Sequence, residues 1–251
     1  MRAKPAILAA VMVVTATRAD SQCVGELRQR ITERRYDEAR AAAQAQLNAS
    51  SSNDAAIDCM GRVLLAQGKS GDAVDWFEKA VKLNRNNAQH HEGLGMALLV
   101  EGSKASVFRR PFIIRRVKTE FETAVALDPT VVDARRGLVM FYSMAPGAMG
   151  GSIEKAREQA EALMKLNPMR GHSAFGLIAE RSHDLAGAEK EFLAAIALHP
   201  DSIAPYIATG AFYERQKRNA DAVVMFQKVL SLDPANDDAK KELVSLTREK
   251  R

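Results

Sequence analysis

A Leu-[Asp/Asn/His]-Pro element recurs along this chain, each time closing a helix-like run. AVALDP (124–129), LMKLNP (163–168), AIALHP (195–200) and VLSLDP (229–234) carry it, and AVKLNR (80–85) is a worn copy with Arg85 in proline's place. Pro129, Pro168, Pro200 and Pro234 stand 39, 32 and 34 residues apart. One pair of helices every 34 residues or so cannot bury its apolar face alone. Neighbouring pairs must stack, which predicts an all-α solenoid whose core grows along one axis. Aromatic residues make up only 6% of the chain, while Ala, Leu, Glu, Lys and Arg abound, as suits helices.

Residues 1–19 read MRAKPAILAAVMVVTATRA. Arg2 and Lys4 form a basic start, Ala6 to Ala16 is apolar except for Thr15, and Ala19 precedes polar Asp20. This is the pattern of a secretory signal peptide. An apolar run of about eleven residues is well short of the roughly 20 that span a bilayer. The expectation is a soluble, exported protein, periplasmic in a Gram-negative bacterium and otherwise secreted. The formal charge of +5 includes Arg2, Lys4 and Arg18, so removal of the leader leaves +2. A nucleic-acid footprint should be larger and clustered, so no nucleic-acid partner is expected.

Small and bulky residues recur inside each period. In 203–236, Tyr206, Gly210, Tyr213, Ala222, Phe226 and Pro234 do so. Gly176, Ala188, Phe192, Ala195 and Pro200 take the matching places in 169–202, and Gly61, Leu64, Ala73, Phe77 and Ala80 take them in 54–87. This pattern resembles the tetratricopeptide repeat (TPR) family, in which each repeat is a helix A, a turn and a helix B. The small places let helices approach, and the bulky places fill the gaps between them. The resemblance implies a right-handed α-solenoid of five recognisable pairs (54–87, 88–131, 132–168, 169–202, 203–236). A degenerate pair, 20–53, precedes them, and 237–251 reads as a charged capping helix with Leu243 and Leu246 on its apolar side. The turn Pro-Gly-x-x-Gly-Gly-Ser (146–152) is also similar to one in a group of bacterial exported TPR proteins, a likeness that implies no particular activity.

Two repeats are longer than the rest, each between its helix A and helix B. About five extra residues fall within MAPGAMGG (144–151). There Gly150 and Gly151 suit positive φ, and Ser152 suits an N-cap. Ten extra residues precede Phe121 and bring the basic-apolar stretch SVFRRPFIIRRVK (106–118). Pro111 suits a first helical turn, and Ile113, Val117 and Phe121 lie four apart on one face. The plain reading is a helix B lengthened by about two turns with a solvated basic face. The functional reading is an edge (Phe108, Arg109, Arg110, Phe112, Arg115, Arg116) that meets an acidic partner or an anionic membrane.

The TPR resemblance implies a concave groove lined by helix A. On this chain its candidate partner-binding residues are Arg62, Leu65, Glu92, Met96 and Leu99, followed by Arg136, Met140, Leu177, Ile207 and Glu214. Methionine-bearing apolar surfaces adapt to varied partners, and a helix or extended peptide fits such a groove. Chaperone-binding members clamp a peptide carboxylate beginning with lysine and asparagine at the fifth and ninth places. Asp58 and Arg62 stand there, so that clamp is not expected.

Cys23 and Cys59 sit near the start of helix A in successive repeats, making them candidates for a disulfide in an exported protein. Two buried thiols are the alternative. The histidines (His90, His91, His172, His183, His199) form no metal-ligand spacing, and no nucleophile, acid/base pair or cofactor fingerprint appears. The chain therefore reads as a non-enzymatic protein- or peptide-binding scaffold without cofactor or metal. Membrane-surface docking through 106–118 is the alternative, and an enzyme is the least supported reading.

Overall fold

The computed structural model describes residues 25–26, 29–31 and 33–248. From Tyr36 onward the described residues form twelve α-helices and one 3-10 turn, with no strand. They divide into two compact units, residues 1–131 and 132–251.

The N-terminal unit holds α1 (Tyr36–Ala49), α2 (Asp54–Ala66), α3 (Ser70–Leu83), α4 (Ala88–Lys104) and α5 (Arg110–Leu127). Consecutive helices pack together, and α2 also touches α4, so A helices stack beside one another. The weakly patterned first repeat is seated by Ala39 and Ala43 of α1, which pack against Cys59, Met60 and Val63 of α2. Asn53 and Asn87 cap α2 and α4 by accepting from Ala56 and Gln89 backbone amides. These caps satisfy donors that the helix itself cannot.

The glycine–phenylalanine pairs set how closely the layers approach. A Cβ on Gly61 would lie 2.9 Å from the Phe77 ring, and one on Gly93 only 2.3 Å from it. Phe77 is thus wedged between α2 of its own pair and α4 of the next. Gly93, which the family pattern leaves unmarked, is needed for that wedge.

The ten extra residues of 88–131 lengthen both helices by about a turn each instead of adding two turns to helix B. Helix α4 has 17 residues and α5 has 18, and residues 105–109 connect them. Pro111 occupies the first turn of α5, while Val117 and Phe121 are buried and Ile113 half-buried, as the four-residue spacing requires.

The C-terminal unit holds α6 (Val132–Met144), α7 (Ile153–Leu166), α8 (Pro168–Arg181), α9 (Leu185–Leu198), α10 (Ile203–Arg215), α11 (Asn219–Leu232) and α12 (Asp237–Arg248). Pro168 does more than close a helix. It opens α8 at a position whose amide would have no helical partner, and Asn167 ends α7 while its side chain caps α8 through Arg170 N. The turn there is short for that reason.

In the 144–152 turn only Gly150 has positive φ (95°). Gly151 does not, and it answers a different constraint. A Cβ there would fall 1.8 Å from the Ala145 carbonyl oxygen. Ser152 caps α7 through Lys155 N. At the C-terminal end, Leu246 of α12 is buried and Leu243 partly so, on a cluster with Phe192, Phe212, Tyr213 and Phe226.

Candidate functional site

In the C-terminal unit, residues three and four apart bring one face of α6, α8 and α10 into a common groove of about 630 Å3. Helix α6 contributes Asp133, Arg136, Met140 and Met144. Helix α8 adds Met169, Arg170, Leu177, Glu180 and Arg181, and α10 adds Ala204, Ile207, Ala211 and Arg215. The middle is apolar, with Met140, Leu177 and Ile207, and the lining as a whole carries three flexible thioethers. Charge lies toward the helix ends.

At one end, Asp133 pairs with Arg170 and, at 3.5 Å, with Arg136. Partial burial opposes ionisation, but the two guanidinium groups hold the Asp133 carboxyl below the usual carboxylate range. At the other end, the largely buried Glu180 accepts from Arg215 at 2.7 and 2.8 Å and from Gln216 at 3.2 Å. Arg181 donates to the Ser143 carbonyl at 3.4 Å. Four arginines against two carboxylates make the groove's lining net cationic. Ser173, a lining hydroxyl, donates to the Met169 carbonyl of its own helix at 3.1 Å.

Of the groove residues expected from sequence, Arg136, Met140, Leu177 and Ile207 line this groove. Glu214 lies on α10, partly buried, outside its lining. Met144, Met169, Arg181 and Arg215 line it unforeseen. Two of them, Met144 and Arg181, sit one helical turn beyond the expected Met140 and Leu177, so the i+4 spacing was the available signal.

The expected residues of the N-terminal unit behave differently. Leu65, Met96 and Leu99 are half-buried on α2 and α4. Arg62 and Glu92 are not open contact residues, because a buried ion cluster consumes them. Arg62 donates to Asp58 at 2.6 Å, to Glu92 at 3.0 Å and to the Gln89 carbonyl at 3.1 Å. His90 sets Nδ1 3.2 Å from Asp58 and Nε2 3.0 Å from Asp54, so each ring nitrogen faces a carboxylate. A neutral ring could donate at only one of the two.

Burial penalises the charged forms of Asp54, Asp58, Arg62 and His90, yet their partners prevail. Arg62 and His90 hold Asp58 low, and hydrogen bonds from His90 and Asn84 do the same for Asp54. Asp58 and Asp54 raise His90. The cluster ties α2 to α4 and is structural.

The edge residues Phe108, Arg109, Arg110, Phe112, Arg115 and Arg116 are all exposed. Arg116 pairs with Glu78 at 2.6 Å. Cys59 is buried under α1, and Cys23 lies outside the described residues, as does the leader 1–19.

Residues 60–106 match the family model described as tetratricopeptide repeat. Among solved structures, the chain is similar to TTC0263, a thermophilic TPR protein of Thermus thermophilus. Identity is 15% and the TM-score 0.55, over 91% of this chain and 98% of that one. It is similar to a tetratricopeptide repeat protein from Parabacteroides merdae at 13% identity and a TM-score of 0.54, over 92% and 99%. A chain of the APC/C hetero-tetramer Cut9-Hcn1 aligns at 12% identity and a TM-score of 0.61, over 90% of this chain but 42% of that one. No curated protein matches the chain. At these identities the likeness establishes a shared TPR fold.

Proposed function

We propose that this chain, with its tetratricopeptide repeat fold, is a non-enzymatic scaffold that holds a peptide segment of a partner protein in the groove across α6, α8 and α10. The observation that carries the reading is the groove itself. About 630 Å3 of concave space with an apolar, methionine-bearing middle offers the kind of groove in which a helix or extended peptide docks. Methionines adapt to differing side chains at little cost. The arginine pairs at its ends orient the segment and select its charge. The signal-peptide pattern of residues 1–19 supports an exported setting, the periplasm in a Gram-negative host.

Site-specific photo-cross-linking in the host tests this. A photoreactive residue at Ile207, which lines the groove, is expected to trap a discrete partner. The same residue at exposed Val224 on α11 is expected not to. Loss of the Ile207 product in a Met140→Arg/Leu177→Arg variant completes the case. Identical products from both positions, or a product indifferent to the groove variant, would refute it. Amino-terminal sequencing of the protein recovered from its host checks export, with Asp20 as the expected first residue.

A further inference from the structure

The tip of the α4–α5 hairpin exposes apolar side chains that the fold does not use. Val107, Phe108 and Phe112 are 75%, 87% and 71% exposed, and no other large apolar side chain among the described residues exceeds 56%. Core packing of α5 is met by Ile113, Val117 and Phe121, with Ile113 drawn against Gly102 of α4. The amides of Arg109 and Arg110 both donate to the Ser106 carbonyl at 3.0 Å, so helical winding begins before α5 proper. Phe108 and Phe112, four residues apart, therefore project from one face, and Arg115 and Arg116 continue it a turn later.

Charge accompanies the rings. From Lys104 to Lys118 the chain carries six cationic residues and no carboxylate. Arg116 is engaged by Glu78, while Arg109 and Arg115 are exposed.

We infer that this tip docks on an anionic phospholipid surface. Phe108 and Phe112 enter the boundary between headgroups and acyl chains, and Arg109, Arg110 and Arg115 meet lipid phosphates. Protruding rings beside cations suit a bilayer, which accepts them without a shaped pocket and offers phosphates in every direction around the tip. A protein partner would need a cavity for two rings and carboxylates at several separate bearings. The docking is independent of the groove, so neither reading stands or falls with the other.

The test is co-sedimentation of the full chain with phosphatidylglycerol/phosphatidylcholine vesicles and with phosphatidylcholine vesicles alone. Phe108→Ser/Phe112→Ser and Arg109→Glu/Arg115→Glu are compared with wild type. All four side chains are exposed, so the variants are expected to keep the wild-type circular dichroism spectrum and melt. Residues 1–19 are the same throughout, so differences between proteins report the tip alone. On anionic vesicles each variant is expected to partition about tenfold or more weakly than wild type, since each surface cation is worth about fivefold. Raised salt is expected to erase most of the arginine effect.

Equal partitioning of wild type and both variants overturns the inference. So does an equal difference on neutral vesicles, which would mean adsorption without recognition of anionic lipid. Loss of self-association in the phenylalanine variant, with vesicle binding unchanged, would assign the tip to a second copy of the chain instead.

Discussion

Asp58 is the pivot of the buried cluster between α2 and α4, and its removal gives a measurable consequence. The carboxylate accepts from Arg62 at 2.6 Å and faces His90 at 3.2 Å, with only 5% of its side chain exposed. In Asp58→Ala both cations lose their shared partner, while Arg62 remains only 18% exposed and His90 2%. Taking one partner from a buried ion pair costs about 3–5 kcal/mol. Glu92 still holds Arg62 and Asp54 still holds His90, so the lower end, about 3 kcal/mol, is expected. For a chain of this length unfolding in one step, that loss lowers Tm by about 6–12 °C. Asp58→Asn keeps the shape and one acceptor and is expected to fall between wild type and Asp58→Ala. Urea denaturation followed by circular dichroism near pH 6 reads both. A loss below about 1 kcal/mol for Asp58→Ala is what a solvated surface pair would show, and it would refute the reasoning.

Two further outcomes are expected. Burial favours neutral His90, but Asp58 and Asp54 raise its pKa above the unfolded value, so its stabilisation is complete below about pH 6.5 and fades as pH rises through the folded value. Asp54 and Asp58 are lowered, so their contribution is present above about pH 4 and fades as pH falls through their folded values. His90→Gln should therefore flatten the loss of stability as pH rises above about 6.5, and an unchanged slope in urea midpoints counts against it. Separately, Asn167→Ala removes the cap of α8 on Arg170 N and is expected to cost about 1 kcal/mol, whereas Asn167→Asp retains it. Thermal melts of the two variants decide.

Much of this fold is legible in the chain alone. The proline count, the Gly61/Phe77 and Gly210/Phe226 complements and the Leu243/Leu246 side of the tail each depend on spacing within one or two helices. Spacing is a property of the chain itself, since an α-helix repeats every 3.6 residues wherever it sits. The same logic places Ile113, Val117 and Phe121 on the inner face of α5 and four residues of the groove on theirs.

What sequence spacing could not decide was how each exposed-looking position is used. Arg62 and Arg136 both lie on the expected groove side of helix A, at the ninth and fifth places of their repeats. Arg62 is consumed by Asp58 and Glu92 inside a layer, while Arg136 lines an open groove. Pro168 was readable as an ending but not also as the first residue of α8, and Gly151 was readable as a flexible residue but not as one crowded by the Ala145 carbonyl. Periodicity specifies which side of a helix a residue occupies. Whether that side meets water, a neighbouring charge or an empty groove depends on residues about 30 positions away, and only the packing of one helix pair on the next brings those together.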